Sequence, residues 1–379
     1  MTDARDLRRA LLALVAPTQV GEPLAEGLFL RHASAELGLR LVIETEGREV
    51  VVEVDAIGEG RPHAARSRHF TFGYRLGDRA APTDGALGQR VCARVAEIAA
   101  ENEDAVVAAI AASSTRDERV RHVRGETLLE PAGQGDERFY TLSPYVGCLI
   151  GCTFCYAPSR LDPLRRLAGL APAPWGSWVD VRVDAAEVLR RELASLPAWP
   201  IKLCPIVSDP YHAIEARERA TRRCLDVLRE HGGDRTVLVL TRSTTIVEDA
   251  ALLAAIPGAW AGVSIPTVDD EVRRHFEPRA ASIDERLRTL ETLRAAGVRT
   301  FAIVQPMFPG SVEGLAEALA HRVTSARLDV LYGTYGATRE LAEPRFAHVP
   351  DARWQEEQRA AIAAALERRG VKVWPGELP

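Results

Sequence analysis

Cys148, Cys152 and Cys155 fall within one stretch, Gly-Cys-Leu-Ile-Gly-Cys-Thr-Phe-Cys-Tyr, in the spacing CxxxCxxC. Three thiolates so spaced can hold three corners of a four-iron four-sulfur cube and leave the fourth iron without a protein ligand. An open iron is suited to chelating a small molecule. Electron-transfer clusters take a fourth cysteine, and the other three in the chain, Cys92, Cys204 and Cys224, stand far off in sequence. Gly147 and Gly151 allow the tight turning that such a loop needs. A structural zinc site is the alternative, although zinc sites usually add a nearby second CxxC or an HxxxH pair, absent here. Six cysteines in 379 residues, behind an N-terminus that does not read as a secretory signal, indicate reduced thiols in the cytoplasm rather than a disulfide framework.

The elements that must position this loop follow from periodicity. From Phe139 onward, apolar runs alternate with amphipathic stretches: strands are expected at 139–143, 201–207, 235–241, 259–265, 299–305 and 328–332. Helices are expected near 184–195, 214–231, 247–255, 283–296, 311–321 and 352–369. Continuous runs such as Thr236-Val-Leu-Val-Leu and Phe301-Ala-Ile-Val suit a buried parallel sheet. Six such units predict an α/β fold, a partial (β/α)6 TIM-like barrel, whose function collects at the C-terminal strand ends. Those ends carry the cysteine loop, Ser208-Asp-Pro-Tyr, Thr241-Arg-Ser, Ser264-Ile-Pro-Thr and Gln305-Pro-Met-Phe-Pro-Gly. Together they offer a cation for a carboxylate and acceptors for an ammonium and ribose hydroxyls, the inventory for an amino acid joined to a nucleoside. Turn chemistry for Asp209-Pro210 and helix capping for Ser264 are the plainer readings of single residues.

Ahead of the barrel the texture differs. Residues 38–54 read as two strands around a Glu-Gly turn, 69–76 as a third, and 88–112 as an Ala-rich helix. This predicts a small α+β domain over residues 1–115 that helps to hold substrate, a polar linker at 116–138, and a barrel with C-terminal extension over 139–379. A composition 46% hydrophobic and 27% charged is that of a folded globular chain, and no segment is long and apolar enough to span a bilayer. The net charge of -5 disfavours non-specific attraction to nucleic acid, and the Arg-rich stretch from Arg116 to Arg124 reads most simply as a solvated helix or linker.

Between residues 139 and 315 the string of motifs resembles the radical S-adenosylmethionine (SAM) superfamily, and within it the spore photoproduct lyase and DNA-repair-photolyase-like branch. The resemblance rests on Ser143-Pro-Tyr-Val-Gly-Cys, Cys155-Tyr156-Ala, Ser208-Asp-Pro-Tyr, Leu240-Thr-Arg-Ser, Ser264-Ile-Pro-Thr-Val-Asp-Asp-Glu-Val and Glu277-Pro-Arg, with Arg286 beyond it. It implies that Cys148, Cys152 and Cys155 hold a 4Fe-4S cluster whose open iron chelates SAM. Reductive cleavage of SAM then gives a 5′-deoxyadenosyl radical that abstracts hydrogen from an unidentified substrate, a peptide, metabolite or nucleotide. The electron comes from an external donor such as flavodoxin or ferredoxin. By the same resemblance Ser208 and Asp209 contact the methionyl amine or ribose, Arg242 the carboxylate and Ser264 the ribose, while Phe154, Tyr156 and the Gln305 backbone border the adenine.

Two departures bear on substrate. The branch places a hydrogen-donating cysteine where this chain has Ile206, and a tyrosine where it has Phe154. Cys204 shares a strand face with Ile206 and Ser208, and reads either as a displaced hydrogen donor or as a buried packing residue. Tyr156 is either a radical relay or an aromatic wall. The main expectation is thus a radical SAM enzyme of unidentified substrate. A divergent DNA repair lyase is the alternative, and a non-enzymatic iron-sulfur or zinc protein the remote one.

Overall fold

The computed structural model describes residues 19–34, 40–56, 64–67, 70–76, 84–112, 119–133, 135–167, 170–204, 206–331 and 333–379. Alternation of apolar and polar residues builds an N-terminal antiparallel sheet from β1 (Pro23–Ala25), β2 (Leu28–Ser34), β3 (Arg40–Thr45), β4 (Arg48–Ala56), β5 (Ala64–Arg66) and β6 (Phe70–Arg75), in the order β1-β2-β3-β4-β6-β5. Leu41, Ile43, Val50, Val52 and Phe72 pack on α1 (Asp84–Ala112) through Val91, Val95 and Ala99. The opposite face, with Arg40, Glu44, Glu53, Thr71 and Arg75, turns to a large cavity.

The polar segment expected as a linker is instead structural, because its backbone completes two other sheets. Val120–Val123 (β7) pairs in parallel with β11 (Val179–Arg182), and Leu129–Ala132 (β8) pairs antiparallel with β9 (Phe139–Leu142). Arg121, part of the expected solvated basic stretch, is fixed to Asp180 at 2.8 Å. Residues 113–118 lie outside the described residues. A two-residue strand, β10 (Tyr145–Val146), joins β11 immediately before the cysteines.

The main sheet has the order β17-β16-β15-β14-β13-β12-β9-β8. It contains the six expected strands, β9, β12 (Ile201–Leu203), β13 (Val237–Thr241), β14 (Ala259–Ser264), β15 (Arg299–Val304) and β16 (Ser325–Leu328), all parallel. A seventh parallel strand, β17 (Lys372–Val373), extends one edge and antiparallel β8 the other. The result is a partial TIM barrel. Outward residues such as Val237 and Val239 pack with Val188, Leu189, Leu225 and Leu228 of α2 (Ala185–Ser195) and α3 (Ala220–His231). Inward residues Leu238, Leu240, Phe301 and Ile303 meet Trp374.

Several boundaries differ from the periodicity reading: β12 ends at Leu203 rather than 207, and the first half of the expected helix 247–255 is a 3-10 turn, Thr245–Asp249. Helix 214–231 breaks at Arg219, whose φ is 51°, because the Glu215 carboxylate accepts from the amides of Thr221 and Arg222, both at 3.0 Å. The last barrel strand begins three residues before the expected 328, since its inward face is polar (Ser325 and Arg327) and gives no apolar run. No helix among the described residues is long and apolar enough to cross a membrane.

Candidate active site

Strand β10 delivers the chain to Gly147, whose φ of 84° favours glycine and whose absent side chain is needed: a Cβ there would stand 2.5 Å from Trp178. Gly151 has φ 63°, and a Cβ on it would meet Arg279 Nη2 at 2.1 Å. Arg279 cages the loop by donating from Nε to Ile150 O (3.2 Å) and from Nη1 to Gly176 O (2.7 Å). The three thiols consequently share one apolar cluster with Ile150, Ala280 and Trp175. Burial pushes the Cys148 thiol up to about 12, with Asp209 adding to the shift. Burial also raises Cys152 and Cys155, opposed at both by the Arg242 charge. A bound cation would reverse that protonation preference.

Every residue singled out in the sequence as a site candidate faces one cavity of about 2150 Å³: Cys148, Cys152, Cys155, Phe154, Tyr156, Cys204, Ser208, Asp209, Arg242, Ser264 and Gln305 all line it. Their hydrogen bonds divide them. Asp209 braces the strand ends: its Oδ1 accepts from Thr241 Oγ1 (2.5 Å) and the Tyr211 amide (2.9 Å), and its Oδ2 from the Arg242 amide (2.8 Å). Arg242 lies 13% exposed with Nε on Glu277 Oε1 at 2.5 Å and its guanidinium 5.7 Å from the Phe154 ring. The other Glu277 oxygen accepts from Arg286 Nη2 at 2.6 Å, and Arg286 also donates to Ser264 O at 2.7 Å. Glu277 is buried, yet its carboxyl stays below the usual range because two guanidiniums outweigh desolvation. Ser264 Oγ is buried and has no hydrogen-bond partner.

Tyr156 packs beneath the Arg160 guanidinium, 5.1 Å from its ring centre, and burial pushes its hydroxyl up to about 12. Cys204 packs with the lumen residues Leu238, Leu240 and Phe301. Sequence reasoning assigned no role to Glu277, Arg279 and Arg286, and it did not single out Glu53 or the lumen charges Lys202, Arg327 and Glu377. The Glu277-Pro-Arg motif was the available signal for the first group; the others depend on contacts across more than 45 residues.

The radical SAM superfamily profile matches residues 142–322, from just before the cysteine loop to the end of the fifth βα unit. The chain carries a radical SAM domain. An uncharacterised protein of Methanocaldococcus jannaschii is 24% identical to it over 174 residues, 46% of this chain and 62% of that protein. A Pseudomonas phage M6 protein named radical SAM Nalpha-GlyT isomerase is 27% identical over 170 residues, 45% of this chain and 33% of that protein. The matches thus span less than two thirds of either relative. A solved spore photoproduct lyase, complexed with dinucleoside spore photoproduct, superposes with TM-score 0.49 and 14% identity, covering 67% of this chain and 81% of that one. A radical SAM domain over residues 142–322 implies a 4Fe-4S cluster and SAM. The residues present fit those groups: three gathered thiols in a glycine-permitted, arginine-caged loop, and an orphaned buried hydroxyl, Ser264 Oγ, on the wall of the same cavity.

Proposed function

We propose that the chain is a radical SAM enzyme acting on a substrate enclosed between the barrel mouth and the N-terminal sheet. The observation that carries this reading is the single cavity that joins the three thiols, Ser264 and Arg242 to Arg40, Thr71 and Tyr74 of the sheet. Cys148, Cys152 and Cys155 would hold the cluster; Ser264, Ser208, Phe154 and Gln305 would hold SAM. The bound pair supplies one-electron cleavage of SAM to a 5′-deoxyadenosyl radical, with the electron drawn from an external flavodoxin or ferredoxin in the reducing cytoplasm.

The chain's own residues orient and enclose. Arg242, with Nε held by Glu277, lines the cavity, where its guanidinium would bind a carboxylate by charge-assisted hydrogen bonds. Phe154 is kept in place by Phe308 at 5.3 Å, and Tyr156 by Arg160. The N-terminal sheet covers the mouth, which excludes water from a reactive intermediate. The substrate class stays among peptides, metabolites and nucleotides.

Anaerobic reconstitution tests the reading. Wild type should bind four irons per chain and form 5′-deoxyadenosine on reduction with SAM; replacing all three cysteines with Ala should abolish both. Full iron loading and undiminished cleavage in the triple variant would refute it. A visible spectrum without iron-sulfur absorption, together with stoichiometric zinc, would establish the zinc alternative. Retention on DNA at moderate salt would favour the repair alternative.

A further inference from the structure

Period-two alternation sends Phe139 and Thr141 of β9, Lys202 and Cys204 of the β12 run, and Arg327 of β16 to the cavity. Strand register sets Arg327 in the row of Ile303 and Ser264, and Lys202 in the row of Leu238, Trp260 and Arg299, nearer the start of the strands. Two cations therefore face the lumen that the cysteine loop closes above. Lys202 is 5% exposed, with its ammonium 3.7 Å from the centre of the Phe139 ring. Arg327 is bound through Nε to Asp329 Oδ2 at 2.6 Å.

Next to these two cations the wall contributes one carboxylate, Asp329, just past β16 and in contact with Arg327; Glu137, also lining the cavity, instead accepts from the Glu377 amide at 3.4 Å. An uncompensated buried charge is costly, so this arrangement requires one further anion. It comes from outside the barrel strands: Glu377, beyond β17, places Oε2 2.7 Å from Lys202 Nζ and Oε1 2.9 Å from Arg327 Nη2. Desolvation opposes its ionisation, but the hydrogen bonds and charges of Arg327 and Lys202 hold its carboxyl down at about 2. Among the described residues Glu377 is the one carboxylate in contact with Lys202. It is also 34% exposed and lies on a short irregular segment, whereas the cations sit on strands.

We propose that Lys202 and Arg327 form the anion subsite of the substrate cavity, that they recognise a carboxylate on the substrate, and that Glu377 occupies the subsite until that carboxylate displaces it. The chemistry is a two-pronged guanidinium and an ammonium converging on one carboxylate. Assigning the bound carboxylate to a substrate rests on the enzymatic reading above; the existence of the anion site does not.

The test uses the full chain and two probes, glutarate and its neutral analogue glutaramide. In Glu377→Gln, glutarate should bind by calorimetry and raise the melting temperature, and glutaramide should do neither. Adding Lys202→Met should weaken glutarate by about ten-fold or more, the loss of one charge-assisted contact. If Glu377→Gln does not fold, Glu377→Asp serves in its place, with glutarate binding more tightly than to wild type. No binding of glutarate, equal binding of glutaramide, or binding indifferent to Lys202→Met would overturn the proposal. Tighter binding of inorganic phosphate than of glutarate would overturn the carboxylate assignment. Formation of 5′-deoxyadenosine, measured in parallel, reports on the enzymatic reading alone.

Discussion

Arg160, on the helix that follows the third cysteine, grips Glu53 of the N-terminal sheet with both ends of its guanidinium, Nη1 to Oε1 at 3.0 Å and Nη2 to Oε2 at 2.5 Å. Arg40 adds a bond to Glu53 Oε1 at 3.1 Å. Ala157, Leu161, Trp178 and Val207 meanwhile share a core with the sheet and α1. The N-terminal unit and the cysteine loop therefore hold each other in place.

Glu53→Leu should destabilise the protein by about 3–5 kcal/mol, because it removes the buried carboxylate that Arg160 and Arg40 both bond. Denaturant unfolding measures this, and a loss below ~1 kcal/mol would show that water reaches Arg160. A chain starting at Arg116 should be insoluble or unable to retain iron, and a soluble truncated chain with full iron content would show that the barrel folds without the N-terminal unit.

Ser264→Ala separates a binding role from a folding role. Removing a buried hydroxyl with no partner should leave stability unchanged or raise it by up to ~1 kcal/mol, while SAM affinity drops by about three- to ten-fold. Titration of the reduced cluster, followed by electron paramagnetic resonance, reads the affinity. Unchanged affinity would place the ribose elsewhere.

Arg242→Ala should also weaken SAM, by about ten-fold or more. Unlike Ser264→Ala it should lower stability, since Glu277 would then depend on Arg286 alone for neutralisation. Unaltered SAM binding with lowered stability would confine Arg242 to the buried triad.

His212 is buried edge-on to Tyr145 with neither ring nitrogen hydrogen-bonded, and burial lowers its pKa from 6.5 to about 3. With the folded value below the unfolded one, its contribution is complete above about 6.5 and is lost as pH falls toward 3. Stability of wild type relative to His212→Phe should fall over that window by ~1.4 kcal/mol per pH unit. A flat difference would mean that the ring is protonated with a partner.

Gly151→Ala should reduce iron retention more than stability, because the new Cβ collides with Arg279 and with Gly176 Cα, 2.8 Å away. Full iron content in that variant would show that the loop can shift to accommodate a methyl group.

The barrel was legible because its strands bury apolar residues outward against helices, and runs such as Val237–Leu240 announce that directly. The cysteines and strand-end motifs were legible through local spacing. What escaped was non-local or polar. β7 and β8 are short and carry no apolar run; β7 is drawn into its sheet by the distant β11, and β8 pairs with the neighbouring β9. Lys202 and Arg327 look like surface residues on sequence, yet they point into a lumen whose interior is less apolar than its outside. Glu53 and Arg160, 107 positions apart, carry no shared pattern at all.

Arg279, which bonds Ile150 and Gly176, and β11, which pairs with β10, both follow the cysteines in the chain. During synthesis the three thiols emerge well before the parts that shape them. Their loop is braced only once residue 279 is in place, so the arrangement of the three thiols belongs to the folded barrel and not to the cysteine motif alone.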